Sequence, residues 1–272
     1  MRQARLYAAS AANIAPRAIR KRRLRAAGMS FVVGSPRSGT TFLAGAIGEQ
    51  PDVVDLGEVA PLKAAIPQLV QLPLEEAAAQ LHTTLELVRL LSLAFGVRGV
   101  EQTPETAFVL AAALRAYPGA RAVHLVRDGR DVACSLLERG WLSTSRSGAD
   151  DAGLAYGTHA RFWVEPERAD EFARASDARR CAWAWRRYVS AARSVRDERV
   201  LEIRYEDLRD SAGRVAAHLS LDAAHLERSL TRTFTTSVGR WRRDLDAQQL
   251  ADVEAEAGPL LAELGYGNAG GV

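Results

Sequence analysis

A short loop of glycine, serine, threonine and one arginine follows the first apolar segment of the chain. Residues 30–33 read Ser-Phe-Val-Val, and residues 34–41 read Gly-Ser-Pro-Arg-Ser-Gly-Thr-Thr before apolar residues resume. A strand that breaks into such a turn and continues as a helix is typical of a phosphate-binding loop, because backbone N–H groups and the helix N-terminus both attract an anion. The sequence therefore predicts an anion site in this loop.

The loop differs at one position from the loops that bind nucleoside triphosphates. It follows the spacing G-x-x-x-x-G-K-[ST], except that Thr40 stands where the lysine is expected. That lysine contacts the β- and γ-phosphates, so its absence argues against hydrolysis of ATP or GTP. Arg37 provides a planar fork of donors that suits phosphate or sulfate oxygens. A different phosphorylated ligand is favoured, and the alternative is a Gly/Ser turn with an incidental arginine.

A second set of anion-binding side chains follows a later strand. Apolar residues 121–126 predict a strand that ends at Arg127, and the next helix carries Ser135 and Arg139 about one turn apart. These three side chains are predicted to converge on one anion. The alternative is a surface ion pair in which Arg127 and Asp128 neutralise one another.

One carboxylate, Glu58, follows the predicted second strand at residues 53–57. In open parallel sheets, ligands bind beyond the carboxyl ends of the strands, so Glu58 is a candidate for chemistry on a ligand held there. Taken by itself, Glu58 also fits a solvated loop carboxylate.

Alternating strands and helices predict an α/β fold with a P-loop-like parallel sheet and helices on both of its faces. Predicted strands lie near residues 30–33, 53–57, 99–103, 121–126 and 199–205. Residues 59–97 and 140–175 contain no strand pattern of their own, and we expect these helical segments to lie over the acceptor side of the site.

The composition fits one large domain. The chain has 272 residues, of which 47% are hydrophobic, and a net charge of +3. This charge is mild for a protein that binds nucleic acid, so no nucleic-acid partner is expected. Cys134 and Cys181 allow at most one disulfide and do not have metal-site spacing, which favours a cytoplasmic protein. No apolar stretch has the length of a membrane span.

The first 28 residues are basic and lack the apolar segment of a secretory signal. Their basic residues are Arg2, Arg5, Arg17, Arg20, Lys21, Arg22, Arg23 and Arg25. Residues 1–28 are therefore predicted to form a mobile, solvated arm, and residues 29–272 a single domain. The alternative for the arm is a weak contact with an anionic surface.

Five motifs occur in the order found in sulfotransferases that use 3′-phosphoadenosine 5′-phosphosulfate (PAPS). They are Gly34-Ser-Pro-Arg-Ser-Gly-Thr-Thr41, Leu56-Gly-Glu58, Leu125-Val-Arg-Asp-Gly-Arg-Asp-Val-Ala-Cys-Ser135, Arg204-Tyr-Glu-Asp-Leu208 and Ser237-Val-Gly-Arg-Trp241. The chain resembles most closely the branch that includes tyrosylprotein sulfotransferases and many bacterial enzymes.

The resemblance implies two groups of nucleotide-binding residues and needs no metal ion. The 5′-phosphosulfate would be held by Arg37, Ser38, Gly39, Thr40 and Thr41, and the 3′-phosphate by Arg127, Ser135 and Arg139, with help from Tyr205 and Arg240. Since this ligand has no γ-phosphate, the missing lysine is explained. Arg37 occupies a position where many members of the family have lysine.

The resemblance also assigns the general base to Glu58, with Arg37 assisting catalysis. His159, in the segment 140–175, is the rival base. One position departs from the family pattern, because Gln102 stands where a lysine often neutralises the transferring group. Glutamine donates a hydrogen bond without a charge, so Arg37 is expected to carry more of the electrostatic stabilisation.

The expected reaction is transfer of the sulfuryl group by in-line displacement to a hydroxyl of a small molecule, carbohydrate or lipid. Two alternatives remain at this stage. One is an atypical P-loop kinase, which needs ATP, Mg²⁺ and a compensating lysine, a role for which Lys21 and Lys63 are poor candidates. The other is a non-catalytic binder of nucleotides or polyanions.

Overall fold

A five-stranded sheet forms the centre of the molecule, of which a computed structural model describes residues 2–21, 28–149, 156, 161–231 and 237–267. The strand order is β2-β3-β1-β4-β5, and every neighbouring pair is parallel. The strands are β1 (Met29–Val33), β2 (Val53–Gly57), β3 (Arg98–Glu101), β4 (Arg121–Val126) and β5 (Val200–Arg204). The predicted parallel α/β architecture is confirmed.

Twelve α-helices are described around this sheet. They are α1 (Arg2–Lys21), α2 (Thr40–Gly48), α3 (Ala60–Leu69), α4 (Leu74–Leu91), α5 (Leu110–Ala116), α6 (Gly129–Arg139), α7 (Ala169–Arg174), α8 (Asp177–Arg193), α9 (Ala212–Leu219), α10 (Ala223–Leu230), α11 (Trp241–Asp244) and α12 (Ala247–Glu263). Single 3₁₀ segments span Pro104–Val109, Pro166–Arg168 and Tyr205–Asp207. Among the described helices, none is long and apolar enough to cross a bilayer.

Alternating strand residues pack into two separate cores, one on each face of the sheet. In β1, Phe31 and Val33 lie in one core, whereas Val32 lies in the other. Helices α2, α9 and α10 cover the Val32 face, and α3–α6, α8 and α12 contribute to the opposite core. A strand buried on both faces reads as a continuous apolar run, which is why β1 and β4 were predicted correctly.

The basic N-terminal segment differs from the expected solvated arm, since residues 2–21 form helix α1 and pack on the domain. Ile14 of α1 is fully buried in the core. Arg17 Nη1 lies 2.7 Å from Asp55 Oδ2, and Lys21 Nζ donates to carbonyl oxygens between residues 48 and 53. The charge run alone suggested solvent, whereas the apolar positions between the charges give α1 an amphipathic face that binds beside β2.

Helix α8 supplies the core beneath the strand-end arginine. Trp185 of α8 is fully buried. Its indole Nε1 donates to the carbonyl oxygen of Arg127 at 2.9 Å. A Cβ at Gly129 would lie 2.6 Å from the same indole ring, so the turn after β4 accepts only glycine there without rearrangement. Trp185 thus fixes the backbone that carries Arg127.

Candidate active site

The loop between β1 and α2 lies in close contact with β4 and with the end of β5. A Cβ at Gly34 would lie 2.4 Å from the carbonyl oxygen of Leu125, and one at Gly39 would lie 2.6 Å from the Tyr205 ring. Arg37 and Gly39 both have positive φ angles, +72° and +93°. The two glycines permit this close approach, and the left-handed residues turn the loop into α2.

The start of α2 has the features of an anion site. No side chain caps the helix, and no acidic residue lies in its first turn. The first N–H groups of a helix have no partner within it, so they are available to a ligand. Ser38 is fully buried, and its Oγ makes no hydrogen bond with any residue that the structure describes. A buried hydroxyl group without a hydrogen-bond partner is unfavourable unless a ligand or a water molecule supplies that partner.

Three arginines surround this loop. Arg37 Nε donates to Ser135 Oγ at 2.9 Å, and Arg127 Nη1 donates to the carbonyl oxygen of Arg37 at 3.3 Å. The pKa of Arg37 is lowered, first by burial and then by the positive charges of Arg139 and Arg127. Within the described ranges, no carboxylate forms an ion pair with Arg37. Although Arg127 Nη2 lies 3.9 Å from Asp131 Oδ2, like charges that converge on one loop mark a place where an anion would be stabilised.

Arg127 is buried, with 6% of its surface exposed. Its guanidinium carbon lies 4.9 Å from the centroid of the Tyr205 ring, and its Nε has no partner in the described part of the chain. The alternative of an Arg127–Asp128 pair is wrong, because Asp128 binds Arg130 at 2.8 Å instead. Arg127 is therefore held rigidly at the end of β4 with part of its donor capacity unused.

Arg139 and Arg240 were also predicted to bind the nucleotide, and they have different surroundings. Arg139 is exposed at the end of α6, near enough to Arg37 to affect its pKa. The guanidinium of Arg240 pairs with Glu138 and, at 2.6 Å, with Asp244. These partners raise the pKa of Arg240 above its usual value. Its role at the 3′-phosphate stays a prediction.

Asp131 links the motif at residues 237–241 to the turn after β4 that carries Arg127. The Asp131 carboxylate accepts hydrogen bonds from the backbone N–H groups of Gly239 at 2.7 Å and Trp241 at 3.0 Å. Arg127 donates to the carbonyl oxygen of Ser237 in the same segment. The segment at residues 237–241 is therefore held beside Arg127.

A cavity of about 280 Å³ opens beside the loop. Arg37, Thr40 and Thr41 line one side, and Glu58 lines it as well, so the predicted base and the loop arginine share one cavity. Trp141, Leu142, Tyr156 and Leu136 contribute the apolar and aromatic part of the wall. This places residues of both expected acceptor-side segments, 59–97 and 140–175, at the cavity.

Lys63 lines the cavity, although its sequence position made it a poor candidate for the compensating lysine of a kinase. Its Nζ donates to Glu58 Oε2 at 3.1 Å, and only 15% of its side chain is exposed. Helix α3 begins at Ala60 and turns this lysine back toward the loop that carries Glu58. The five-residue spacing between Glu58 and Lys63 can be read from the sequence, but the direction of α3 cannot.

Glu105 and Tyr188 form a buried pair on the same cavity. The Tyr188 hydroxyl donates to Glu105 Oε1 at 3.0 Å, and both residues line the cavity. Burial raises the pKa of the Glu105 carboxyl, an effect that the nearby charge of Lys63 opposes. The sequence analysis singled out neither residue, because their contact joins positions 83 residues apart.

Gln102 lies behind the loop, at the end of β3. It is 3% exposed and accepts a hydrogen bond from Thr41 Oγ1 at 3.3 Å. Beside it, Glu101 is fully buried, and burial raises its pKa to about 8 despite hydrogen bonds from Thr103 and Thr106. Gln102 therefore supports Thr41 rather than adding a positive charge to the cavity.

Two further expectations concern the rival base and a metal ion. His159, the rival base, lies outside the described residues. Among the residues that the structure does describe, no three His, Cys, Asp or Glu side chains are grouped as a metal site would require. Cys134 and Cys181 are both buried and free.

Comparisons with known proteins agree with the motifs. A model of the family described as "Sulfotransferase family" matches residues 92–222, which include Arg127, Ser135 and Tyr205. Comparison with curated protein sequences finds no match.

Several solved structures are similar to this chain. The sulfotransferase domain from the curacin biosynthetic pathway has a TM-score of 0.54 and 14% identity, with 89% of this chain and 99% of that domain covered. A sulfotransferase domain from the olefin synthase of Synechococcus PCC 7002 has a TM-score of 0.48 and 16% identity, with 86% and 94% covered. At these identities the curacin-pathway domain establishes the fold alone. The family model over residues 92–222 and this shared fold agree with the resemblance to sulfotransferases that the motifs indicated.

Proposed function

We propose that this protein transfers the sulfuryl group of PAPS to a hydroxyl group of an acceptor. The observation that supports it most strongly is the approach of Arg127 and Arg139 to Arg37 in the loop, where burial and then these two positive charges lower the pKa of Arg37. A P-loop kinase requires a lysine at Thr40 and a metal-held triphosphate. The three arginines instead suit a ligand with two separate anionic groups.

The residues present fit such a nucleotide. Ser38 Oγ and Arg127 Nε are buried donors without partners among the described residues, and they lie on the loop and at the strand end respectively. We assign the 5′-phosphosulfate to residues 37–41, and the 3′-phosphate to Arg127 with Ser135 and Arg139. Tyr205 packs between Gly39 and Arg127, so it links the two groups.

Each catalytic side chain then has a defined task. When bound, PAPS supplies the sulfuryl group, which leaves its 5′-phosphate as the acceptor oxygen bonds to sulfur. Glu58 removes the proton of the acceptor hydroxyl, and Lys63 holds the Glu58 carboxylate on the cavity wall. Arg37 and the N–H groups at the start of α2 stabilise the negative charge that develops on the departing phosphate. The products are a sulfate ester and 3′-phosphoadenosine 5′-phosphate (PAP).

We further propose that the reaction takes place in the cytoplasm, which the two free, buried cysteines support. The acceptor is a small molecule or the end group of a larger one, since the cavity holds only about 280 Å³. Helix α1 retains exposed arginines for a weak anionic contact, although Arg17 and Lys21 are engaged within the chain.

Thermal unfolding tests the proposed nucleotide. At a hundredfold excess over its Kd, PAP is expected to raise Tm by about 5 °C or more, because it binds only the folded protein. ATP with Mg²⁺ at the same concentration is expected to give a clearly smaller shift. A larger stabilisation by ATP with Mg²⁺ would refute the sulfotransferase proposal in favour of the kinase.

Lys63 offers a test of how Glu58 is held. The substitution Lys63→Met is expected to lower kcat by about tenfold to hundredfold, because the carboxylate loses the donor that orients it. The Kd for PAP should change by less than about twofold, since Lys63 is assigned no contact with the nucleotide. Lys63→Arg keeps a charged donor and is expected to recover most of kcat. Equal losses in both variants would contradict an orienting role for the ammonium group.

A further inference from the structure

Glu105 has a hydrogen-bonding oxygen that the protein does not use. Its Oε1 accepts from Tyr188, whereas its Oε2 is buried and makes no hydrogen bond with any described residue. The side chain lines the same cavity as Glu58 and Lys63. An unsatisfied carboxyl oxygen in a buried position destabilises the free protein, so a partner supplied by a ligand would offset that loss. Rotation about the last bond of the Glu105 side chain is soft and can present an oxygen to the cavity.

The charges of the cavity restrict what this partner can be. Arg37, Lys63 and Arg161 all line it, so a cationic group on the acceptor would be repelled. An anionic group would meet the carboxyls of Glu58 and Glu105. An uncharged hydroxyl avoids both conflicts. It also donates to an ionised carboxylate and accepts from a protonated carboxylic acid, so it suits Glu105 in either protonation state.

From this geometry we infer that the acceptor is an uncharged, compact molecule with at least two hydroxyl groups. Glu58 faces the hydroxyl that is sulfated, and Glu105 binds the second. Leu136, Trp141 and Leu142 contact the apolar frame between them. The inference rests on the proposed function for the fate of the first hydroxyl, but recognition of the second is a property of binding alone.

Calorimetry on the protein without nucleotide tests this recognition. Phenol is compared with catechol, resorcinol and hydroquinone, which place a second hydroxyl at three different spacings on one ring. At least one of these diols is expected to bind about tenfold tighter than phenol, as one satisfied buried hydrogen bond implies. The corresponding cresol, in which a methyl group replaces the second O–H and can neither donate nor accept, should lose most of this gain. If all three diols bind within about twofold of phenol, the inference is overturned.

Variants locate the contact. Glu105→Met is expected to bring the preferred diol to within about twofold of phenol and to leave the affinity for phenol unchanged. Tyr188→Phe is the matched control, because it removes the partner of Oε1 and keeps both carboxyl oxygens, so the preference for the diol should persist. A preference that survives Glu105→Met would overturn the assignment of Glu105. If that variant does not fold, Glu105→Leu and the cresols with the unmodified protein decide the same question.

Calorimetry with PAP distinguishes a failure of the proposed nucleotide site from a failure of the proposed diol acceptor. Titration with PAP reports on the proposed nucleotide site and does not involve Glu105. Failure of PAP to bind would refute the proposed function even where a diol is preferred. Failure of every diol, with PAP bound normally, would refute only the acceptor inference.

Discussion

Replacing Glu58 with glutamine is expected to lower kcat for sulfuryl transfer by about 10²–10⁴-fold, the usual contribution of a well-placed general base. The amide has nearly the same shape as the carboxylate but cannot take the proton of the acceptor hydroxyl. Glu58 lines the cavity that Arg37 also lines, and it is assigned no contact with the nucleotide. The Kd for PAP should therefore remain within about twofold of the unmodified value. Initial rates with PAPS, together with calorimetry for PAP, measure both quantities.

Glu75 offers a matched control for this change. It is also an exposed carboxylate paired with a basic side chain, at 2.9 Å from Arg115, but it lies on α4 and does not line the cavity. Glu75→Gln should leave kcat unchanged. If Glu58→Gln keeps kcat within about threefold, another group takes the proton, and His159 becomes the first candidate.

The sheet and the anion loop were predicted from sequence because both are local patterns. Each strand is a short apolar run, and the β1–α2 loop has its glycines next to its arginine and threonines. Glu58 and Arg127 were found for a related reason, since each directly follows a strand. Parallel strands bring such positions to one edge of the sheet without any knowledge of side-chain packing.

The parts of the site that were missed depend on the directions of helices. Lys63 reaches Glu58 only because α3 turns back across the cavity, and Glu105 meets Tyr188 because α8 crosses beneath the 3₁₀ segment Pro104–Val109. Arg240 shows the opposite case, in which a motif residue is occupied by Glu138 and Asp244. The sequence gives the type of these residues but not which carboxylates surround them.

Replacing Arg127 with methionine is expected to weaken PAP binding by about tenfold to hundredfold, which corresponds to the loss of one or two charged hydrogen bonds. Methionine keeps much of the length and apolar contact of the arginine stem against Tyr205, so the loss is mainly that of the guanidinium. Adenosine 5′-monophosphate lacks the 3′-phosphate, and its Kd should change by less than about threefold. Calorimetric titration of both nucleotides into both proteins gives the ratio of the two affinities.

The affinity ratio separates recognition from folding at this buried position. Arg127 also donates to the carbonyl oxygens of Arg37 and Ser237, so its loss is expected to lower Tm as well. Partial unfolding weakens the binding of both nucleotides equally and cancels in the ratio. Arg130→Met is the control, because it removes a buried arginine of the same turn, one that pairs with Asp128. It should lower Tm while preserving the preference for PAP. If Arg127→Met preserves that preference too, the 3′-phosphate is bound elsewhere, and Arg139 with Ser135 would be the next pair to vary.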